Sequence, residues 1–586
     1  MPADVRVSPN TAGPPSILEA CAERIVKGCR HSDGDLKALL ARNNAYFEWC
    51  LRLARLRLAK GQPEQAAQWC AVAAFLGAEP GWFGVLADAD LEEILLRISA
   101  TLPRVAPSTR ATPPRRWLHV MTEAWHWGGM IENLKRWMRF TGAHAINHVV
   151  LLDQRNQEGL TGLRRLMEGT PGELTVLDRS CSLLGKAAAL RSLAAEKADI
   201  VVLHTWVAEV VPVLAFGVAG GPPVLRMNAD DHMFWVGASV ADLVINFREL
   251  GERWTKTNRG VDRSAFLPLP LDAPRPELLD VSPRSRRNAA RARFGIPDDG
   301  VALLTVGSDY KFRPVGEWDF LNAAEAILTR CPRAIILAVG VTLEGRWRTL
   351  GEAFHGRLKA LGVQTDMSDC HASCDIGLGS IPFPSQTAIL EIGLLGKPCV
   401  LTPMDVPIGI NDIAFEGMSR PKTTSDYVDM AVQLVNNPTK RREEGTRLAN
   451  SIENYHCQRG WIGYWQSLQN RTPAEHQVFP LHRCSPMRTD ECSFWAEFAR
   501  LPDQDVLHHI HFNIICQGRG IWPRSDAKLM SSLKSGAVAG ALFEVRFLLR
   551  KLRYQMGALA RPLKTGPVAK AAQSKVSTCG RRRTIR

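Results

Sequence analysis

Two segments of the chain concentrate side chains able to hold a diphosphate and a ribose. The first is CDIGLGSIPFPSQTAILEIGLLGKPCVLTP, residues 374–403, which reads as strand, Pro-rich loop, helix and strand. A helix opening beside Ser385 and Thr387 offers unpaired backbone N–H groups and two hydroxyls, the donors that a pyrophosphate needs. Glu391 follows Thr387 by four residues on the same helical face, and its carboxylate accepts the hydrogen bonds that ribose hydroxyls donate. The second is LLTVGSDYKFRP, residues 303–314, a strand followed by Gly307, Ser308, Lys311 and Arg313. Either cation can offset charge that builds on a departing phosphate. The plainer alternative makes Ser385 a helix cap, Glu391 solvated surface and the cations ordinary loop charge.

Two further segments carry candidate acid–base groups. In WLHVMTEAWHWGGMIENLKRWM, residues 117–138, Gly128 and Gly129 stand between a strand and a helix, where backbone can approach a ligand closely or simply turn tightly. His126 and Glu123 of that loop are candidate bases. In RMNADDHMFWVG, residues 226–237, Asp230, Asp231 and His232 fall at the C-terminal end of a strand, where open α/β sheets bind their ligands. His232 beside Asp231 is suited to take a proton from a hydroxyl. The alternative has Asp230 capping a helix and His232 packing beneath Phe234 and Trp235. Cys370, His371 and Cys374 lie close together, as do His508, His509 and His511 with Cys484, Cys492 and Cys516 further off. Neither set has the paired spacing of structural zinc, so no metal site is expected.

Short apolar runs alternating with helical stretches must position these groups. The runs WLHVM (117–121), INHVVLL (146–152), LTVL (174–177), DIVVLH (199–204), PVLRM (223–227) and DLVINF (242–247) predict a parallel sheet covered on both faces. The rhythm restarts with VALLTVGS (301–308), AIILAVG (334–340), DIGLGS (375–380) and PCVLTP (398–403), with a helix running through Leu361. Two α/β domains in succession place a ligand between them. The predicted division is 1–15 disordered, 16–103 a helical cap domain, 104–116 a Pro- and Arg-rich linker, 117–272 and 273–472 the two α/β domains, and 473–586 an extension. Within the cap, residues 45–77 read as two amphipathic helices around a Gly-Gln-Pro turn.

A 586-residue chain with 45% hydrophobic and 23% charged residues can form several packed domains, which excludes a fibrous or wholly disordered protein. Fourteen scattered cysteines without a repeated C-x-x-C pair read as reduced thiols. No apolar run is long enough to span a membrane, and residues 1–15 lack the layout of a secretory signal, so the cytoplasm is the expected compartment. The net charge of +14 is local: from Val545 to Arg586 there are twelve Lys and Arg and no acid, leaving about +2 for the rest. Leu542, Val545, Leu549, Leu552, Met556 and Leu559 predict an amphipathic basic helix at about 536–560, followed by a disordered basic tail. That pattern predicts peripheral contact with an anionic inner membrane face rather than with nucleic acid, since the tail has no aromatic interleaving.

Residues 374–403 resemble the donor-site motif of group 1 glycosyltransferases and, more loosely, of O-GlcNAc-transferase-like enzymes. Glu391, Gly396, Pro398 and Val400 match its helix Glu and Gly-x-Pro-x-Val strand entry. The departure is Pro384, where many group 1 members carry an additional Glu, and it leaves retention or inversion at the anomeric carbon open. The resemblance spans about residues 116–470. It implies an α/β fold of two Rossmann-like domains (GT-B), here preceded by a small helical domain and followed by a partly disordered basic extension. It also implies transfer of a sugar from a UDP- or GDP-linked donor, with no other cofactor, to a glycan, lipid-linked or protein acceptor, as in cell-surface polysaccharide biosynthesis. Under it Gly128, Gly129, Lys311, Arg313, Ser385, Thr387 and Glu391 bind the donor, while His232, Asp231 and His126 are the catalytic candidates. Two rivals are a sugar-nucleotide epimerase and a catalytically inactive nucleotide- or glycan-binding scaffold.

Overall fold

The computed structural model describes residues 33–79, 81–105, 114–126, 128–273, 283–409, 411–481 and 484–499. The stretch 1–15, the middle of the 104–116 linker, the predicted helix at 536–560 and the basic tail lie outside the described residues.

Three helices come first: α1 (Asp33–Ala59), α2 (Pro63–Ala78) and α3 (Ala89–Ser99). Pro63 opens α2 because a first-turn residue needs no amide hydrogen, and Asp88 caps α3 by accepting from Leu91 N at 2.8 Å. These helices are fused to the domain that follows them. A Cβ on Gly77 would lie 3.1 Å from the buried Phe234 ring, so α2 packs closely against it there. Glu64 of α2 accepts from Leu183 N and Leu184 N at 3.0 Å each. Buried Glu92 of α3 accepts from Gly237 N at 2.5 Å and Ala238 N at 3.1 Å.

The first sheet is built from β1 (Arg116–Met121), β2 (Ile146–Leu151), β3 (Leu174–Val176), β4 (Ile200–His204), β5 (Val224–Asn228), β6 (Leu243–Asn246) and β7 (Ser264–Phe266). Between them run α4 (Gly129–Thr141), α5 (Gln157–Met167), α6 (Leu183–Lys197), α7 (Val211–Phe216) and α8 (Glu249–Thr257). The strand order is β3-β2-β1-β4-β5-β6-β7, parallel throughout. The second domain holds α9 (Pro283–Arg293), β8 (Val301–Val306), α10 (Phe320–Arg330), β9 (Ala334–Val339), α11 (Gly345–Ala353), β10 (Leu358–Ala360), α12 (Ser368–Ser373), β11 (Ile376–Leu378), α13 (Gln386–Leu394) and β12 (Cys399–Val400). Its parallel order is β10-β9-β8-β11-β12. The strands are buried and mainly apolar, as sheets covered by helices on both faces require, and the expected pair of Rossmann-like domains is the fold. The three-residue strands β7 and β10 correct the predicted pattern, β10 lying in the stretch read as helix through Leu361.

After α14 (Thr424–Asn436) and α15 (Pro438–His456), α16 (Gln458–Arg471) crosses back to the first domain. Trp461 and Trp465 are buried against Trp117 and Trp137, with ring centroids at 5.3 Å for Trp137–Trp461 and 5.5 Å for Trp117–Trp465. His476 continues the return by pairing with Asp242 at 2.7 Å. Residues 458–471, predicted as the end of the second domain, thus pack on the first. Last comes α17 (Thr489–Phe498), a short helix within the predicted extension whose apolar side chains are all buried.

A histidine pair lies in the core behind β1 and β4. His119 Nδ1 is 2.9 Å from His204 Nε2, and His119 Nε2 is 3.1 Å from Asn147 Oδ1. The amide oxygen accepts from His119 Nε2–H, so Nδ1 accepts from His204 and both rings are neutral. Burial pushes the His119 imidazole down to about 4, and His204 lies well below its ordinary value for the same reason, with His119 adding to it. Unfolded histidines titrate near 6.5, so between those limits the unfolded chain binds more protons. This contribution is complete above about pH 6.5 and is lost as pH falls, for His119 alone by about 3 kcal/mol at pH 4. Urea unfolding should show a lower midpoint at pH 5 than at pH 7, and His119→Gln should flatten that slope.

Candidate active site

In each sheet the strand order reverses beside the first strand, so crevices open beyond the C-terminal ends of β1/β4 and of β8/β11. The loops that follow β1, β8 and β11 are the ones carrying Gly128 and Gly129, Lys311 and Arg313, and Ser385. Asp230, Asp231 and His232 follow β5, next to β4.

The two second-domain loops interlock. Phe383 N donates to Lys311 O at 3.2 Å, and Lys311 Nζ donates to Pro384 O at 3.3 Å. A Cβ on Gly307 would meet Ser385 Oγ at 3.0 Å, so the two loops approach closely at this glycine. Ser385 stands at the N-cap of α13 without capping it; its buried hydroxyl hydrogen-bonds Ser380 Oγ at 3.1 Å. Thr387, the second residue of the helix, is half-buried, and among the described residues its hydroxyl is not tied up as that of Ser385 is. Among the described residues, the backbone N–H groups of Gln386, Thr387 and Ala388 have no protein acceptor. Three open donors and a positive helix end face one place, which suits a bound anion.

Lys311 supplies the charge there. It is half-buried, its ammonium lies 5.4 Å from the Phe383 ring centroid, and no carboxylate among the described residues is within ion-pair distance. Burial, together with the nearby Arg248 guanidinium, pulls its pKa down to about 8, against the attraction of Asp230. A lysine short of a carboxylate gains most from an arriving polyanion. Arg313 is half-buried on the same loop.

The first domain contributes the opposite wall. Gly128, at φ 129, precedes α4, and a Cβ on Gly128 or Gly129 would meet nothing within 4 Å, so open space lies in front of this turn. His126 is exposed beside Trp125, itself 56% exposed. Glu123 is withdrawn from base chemistry, since its Oε1 accepts from Arg155 N at 2.9 Å and Asn156 N at 2.7 Å. The Asp231 carboxylate is held by Arg248 through two contacts of 2.6 Å. Burial alone would raise its pKa, but the Arg248 charge holds it well below the usual carboxylate range. His232 Nδ1 lies 3.5 Å from Asp231 Oδ1, giving an Arg248–Asp231–His232 chain in which the acid orients the ring. His232 does not lie beneath Phe234 and Trp235. Its ring is 5.0 Å from Phe383 of the second domain and 5.0 Å from Trp495 of α17.

Two features of the site, the surroundings of Asp230 and one short helix, escaped the sequence reading. Asp230 caps no helix: Met233 N closes a turn on its carbonyl, and its carboxyl makes no hydrogen bond or ion pair among the described residues. Burial raises its pKa, partly offset by His232, while Lys311 also faces it. Helix α17 is the other: Phe498 stacks on Phe383 at 5.1 Å and lies 6.2 Å from Tyr310, closing one side of the site with aromatic rings. Alternation of small and large residues in TDECSFWAEF carries no periodic signal that could have revealed it.

Among the described residues, no group of His, Cys, Asp and Glu is arranged to hold a metal ion, and no helix is long and apolar enough to cross a membrane. No family model matches the sequence, and no curated protein does. Solved structures do. HepE from Anabaena in complex with UDP is 16% identical over 61% of this chain and 98% of its own, with a TM-score of 0.45. A mutant O-GlcNAc transferase from Thermobaculum terrenum is 16% identical over 72% and 84%, with a TM-score of 0.42. WaaG, a glycosyltransferase involved in lipopolysaccharide biosynthesis, is 13% identical over 61% and 99%, with a TM-score of 0.40. Glycosyltransferases are thus among the structural neighbours of this two-domain α/β chain.

Proposed function

We propose that the chain transfers a sugar from a nucleoside-diphosphate donor to a hydroxyl of an acceptor. The observation that carries this reading is the meeting of Lys311, the open N–H groups of α13 and the Thr387 hydroxyl with His232 across the interdomain cleft. In this reading the donor diphosphate lies on Lys311, Arg313 and the α13 amides, and the ribose on Glu391. His232, oriented by Asp231, takes the acceptor proton as the acceptor oxygen bonds to the anomeric carbon. The bond from that carbon to the diphosphate oxygen breaks, and Lys311 balances the charge left on the nucleotide. Gly128 and Gly129 line the space between donor and acceptor, and His126 stands at its rim. The donor is UDP- or GDP-linked, no further cofactor takes part, and the acceptor is a glycan, a lipid-linked sugar or a protein of cell-surface polysaccharide synthesis. The basic tail brings the chain to the inner membrane face in the same reading.

Release of nucleoside diphosphate from UDP- or GDP-sugars, followed with mixed glycan acceptors, tests it. Turnover that falls by about 10-fold or more in Glu391→Ala is expected, as for loss of hydrogen bonds to a charged group. Absence of turnover in the wild type would favour the scaffold, and nucleotide-linked product without acceptor the epimerase.

A further inference from the structure

Glu391, the carboxylate read above as the ribose anchor, is held by a residue of the other domain. Arg136 of α4 donates from Nη2 to Glu391 Oε1 at 2.6 Å. The same guanidinium contacts Asp272 Oδ2 at 3.3 Å and Pro270 O at 3.4 Å, both in the crossing between the domains. Arg139, one turn further along α4, meets the same Asp272 oxygen at 2.6 Å. Arg136 is 13% exposed and Glu391 31%, so the pair is shielded enough to count and open enough for a ligand to reach the acid. Arg136 lies two turns into the helix that begins at Gly129, and Glu391 a turn and a half into the helix whose N–H groups are open. One ion pair therefore joins the two helices whose N-termini flank the cleft.

A ribose diol needs a carboxylate held in one rotamer. Arg136 holds it through Oε1 alone; Oε2 has no hydrogen-bond partner among the described residues. We propose that Arg136 is a positioning residue that couples docking of the first domain to nucleotide binding: the second-domain site is complete only while α4 lies against α13. This rests on the donor-site reading of Glu391. Linkage then requires the reverse effect, so that a bound nucleotide holds the domains together.

Titration calorimetry of wild type, Arg136→Met, Arg136→Lys, Glu391→Ala and the Arg136→Met/Glu391→Ala double variant with UDP, UMP, GDP and GMP tests it, with urea unfolding of each unliganded variant as the check on folding. The expected result is binding about tenfold weaker in Arg136→Met, equally so for the mono- and diphosphate of the preferred base, partial recovery in Arg136→Lys, and no further loss in the double variant beyond Glu391→Ala. Tighter binding in Arg136→Met would make the pair a competitor of the ribose and overturn the proposal. So would a loss confined to diphosphates, which would place Arg136 on the phosphate, or additive losses in the double variant. Unchanged binding in Arg136→Met with a weakened Glu391→Ala would overturn the coupling and leave the donor site standing, whereas a wild type that binds none of the four nucleotides would remove both.

Discussion

Lys311→Met is expected to lower the proposed sugar transfer by about 10²–10³-fold, with most of the loss in kcat. The side chain is held by the carbonyl of Pro384 and by the Phe383 ring, with no carboxylate within ion-pair distance among the described residues. Its charge is therefore available to a diphosphate whose negative charge grows as the sugar departs, and the removal of one preorganised donor of this kind costs about that factor. The same lysine fixes the alkaline limb. Burial and Arg248 hold its pKa at about 8, and the charged form is the useful one, so kcat/KM of the wild type should fall as pH rises through about 8. In Lys311→Arg the limb should move beyond the measurable range, because a guanidinium stays charged there. Steady-state rates between pH 6 and 10 check both points.

The second large effect is expected at His232. His232→Asn should reduce transfer by about 10²–10⁴-fold while nucleotide affinity stays within about a factor of two, because proton removal by a positioned base contributes on that scale and Asn keeps a polar group of similar size. Its ring stands between Phe383 and Trp495 with Nδ1 turned to Asp231, which leaves Nε2 to meet an acceptor. Asp231→Asn is a poor probe of the same step. It strands the buried Arg248 charge, and breaking such a pair costs about 3–5 kcal/mol of stability. Asp230→Asn is the informative companion: its carboxyl carries no ion pair among the described residues, so the protein should stay folded. A larger rate loss there than at His232 would move the base to Asp230.

The fold was readable because buried parallel strands are continuous apolar runs, and ten of the runs lie where strands are found. Strands β7 and β10 were not, since Ser264 and Lys359 leave neither Ser264–Phe266 nor Leu358–Ala360 a continuous apolar run. At the site, Lys311 and Gly128 follow strand ends in stretches that a switch-point argument selects from order alone, and Thr387 opens the helix after another such strand. What the sequence could not disclose were contacts between distant segments. Glu391 looked free, yet Arg136 lies 255 residues earlier and 2.6 Å away. Glu123 looked like a base, but backbone amides of the next loop occupy it. Residues 473–499 looked like an extension, although their aromatic rings close the site and their His476 binds the first domain. Each is a case of tertiary partners setting what a polar side chain can do.

Calorimetric titration of UDP and GDP into the wild type and into Lys311→Met decides whether the cleft grips a diphosphate. One of the two nucleotides should bind the wild type at micromolar concentrations and bind Lys311→Met at least tenfold more weakly, with the difference vanishing for the corresponding nucleoside. Equal binding by both proteins, or no binding by either at millimolar nucleotide, would contradict the account.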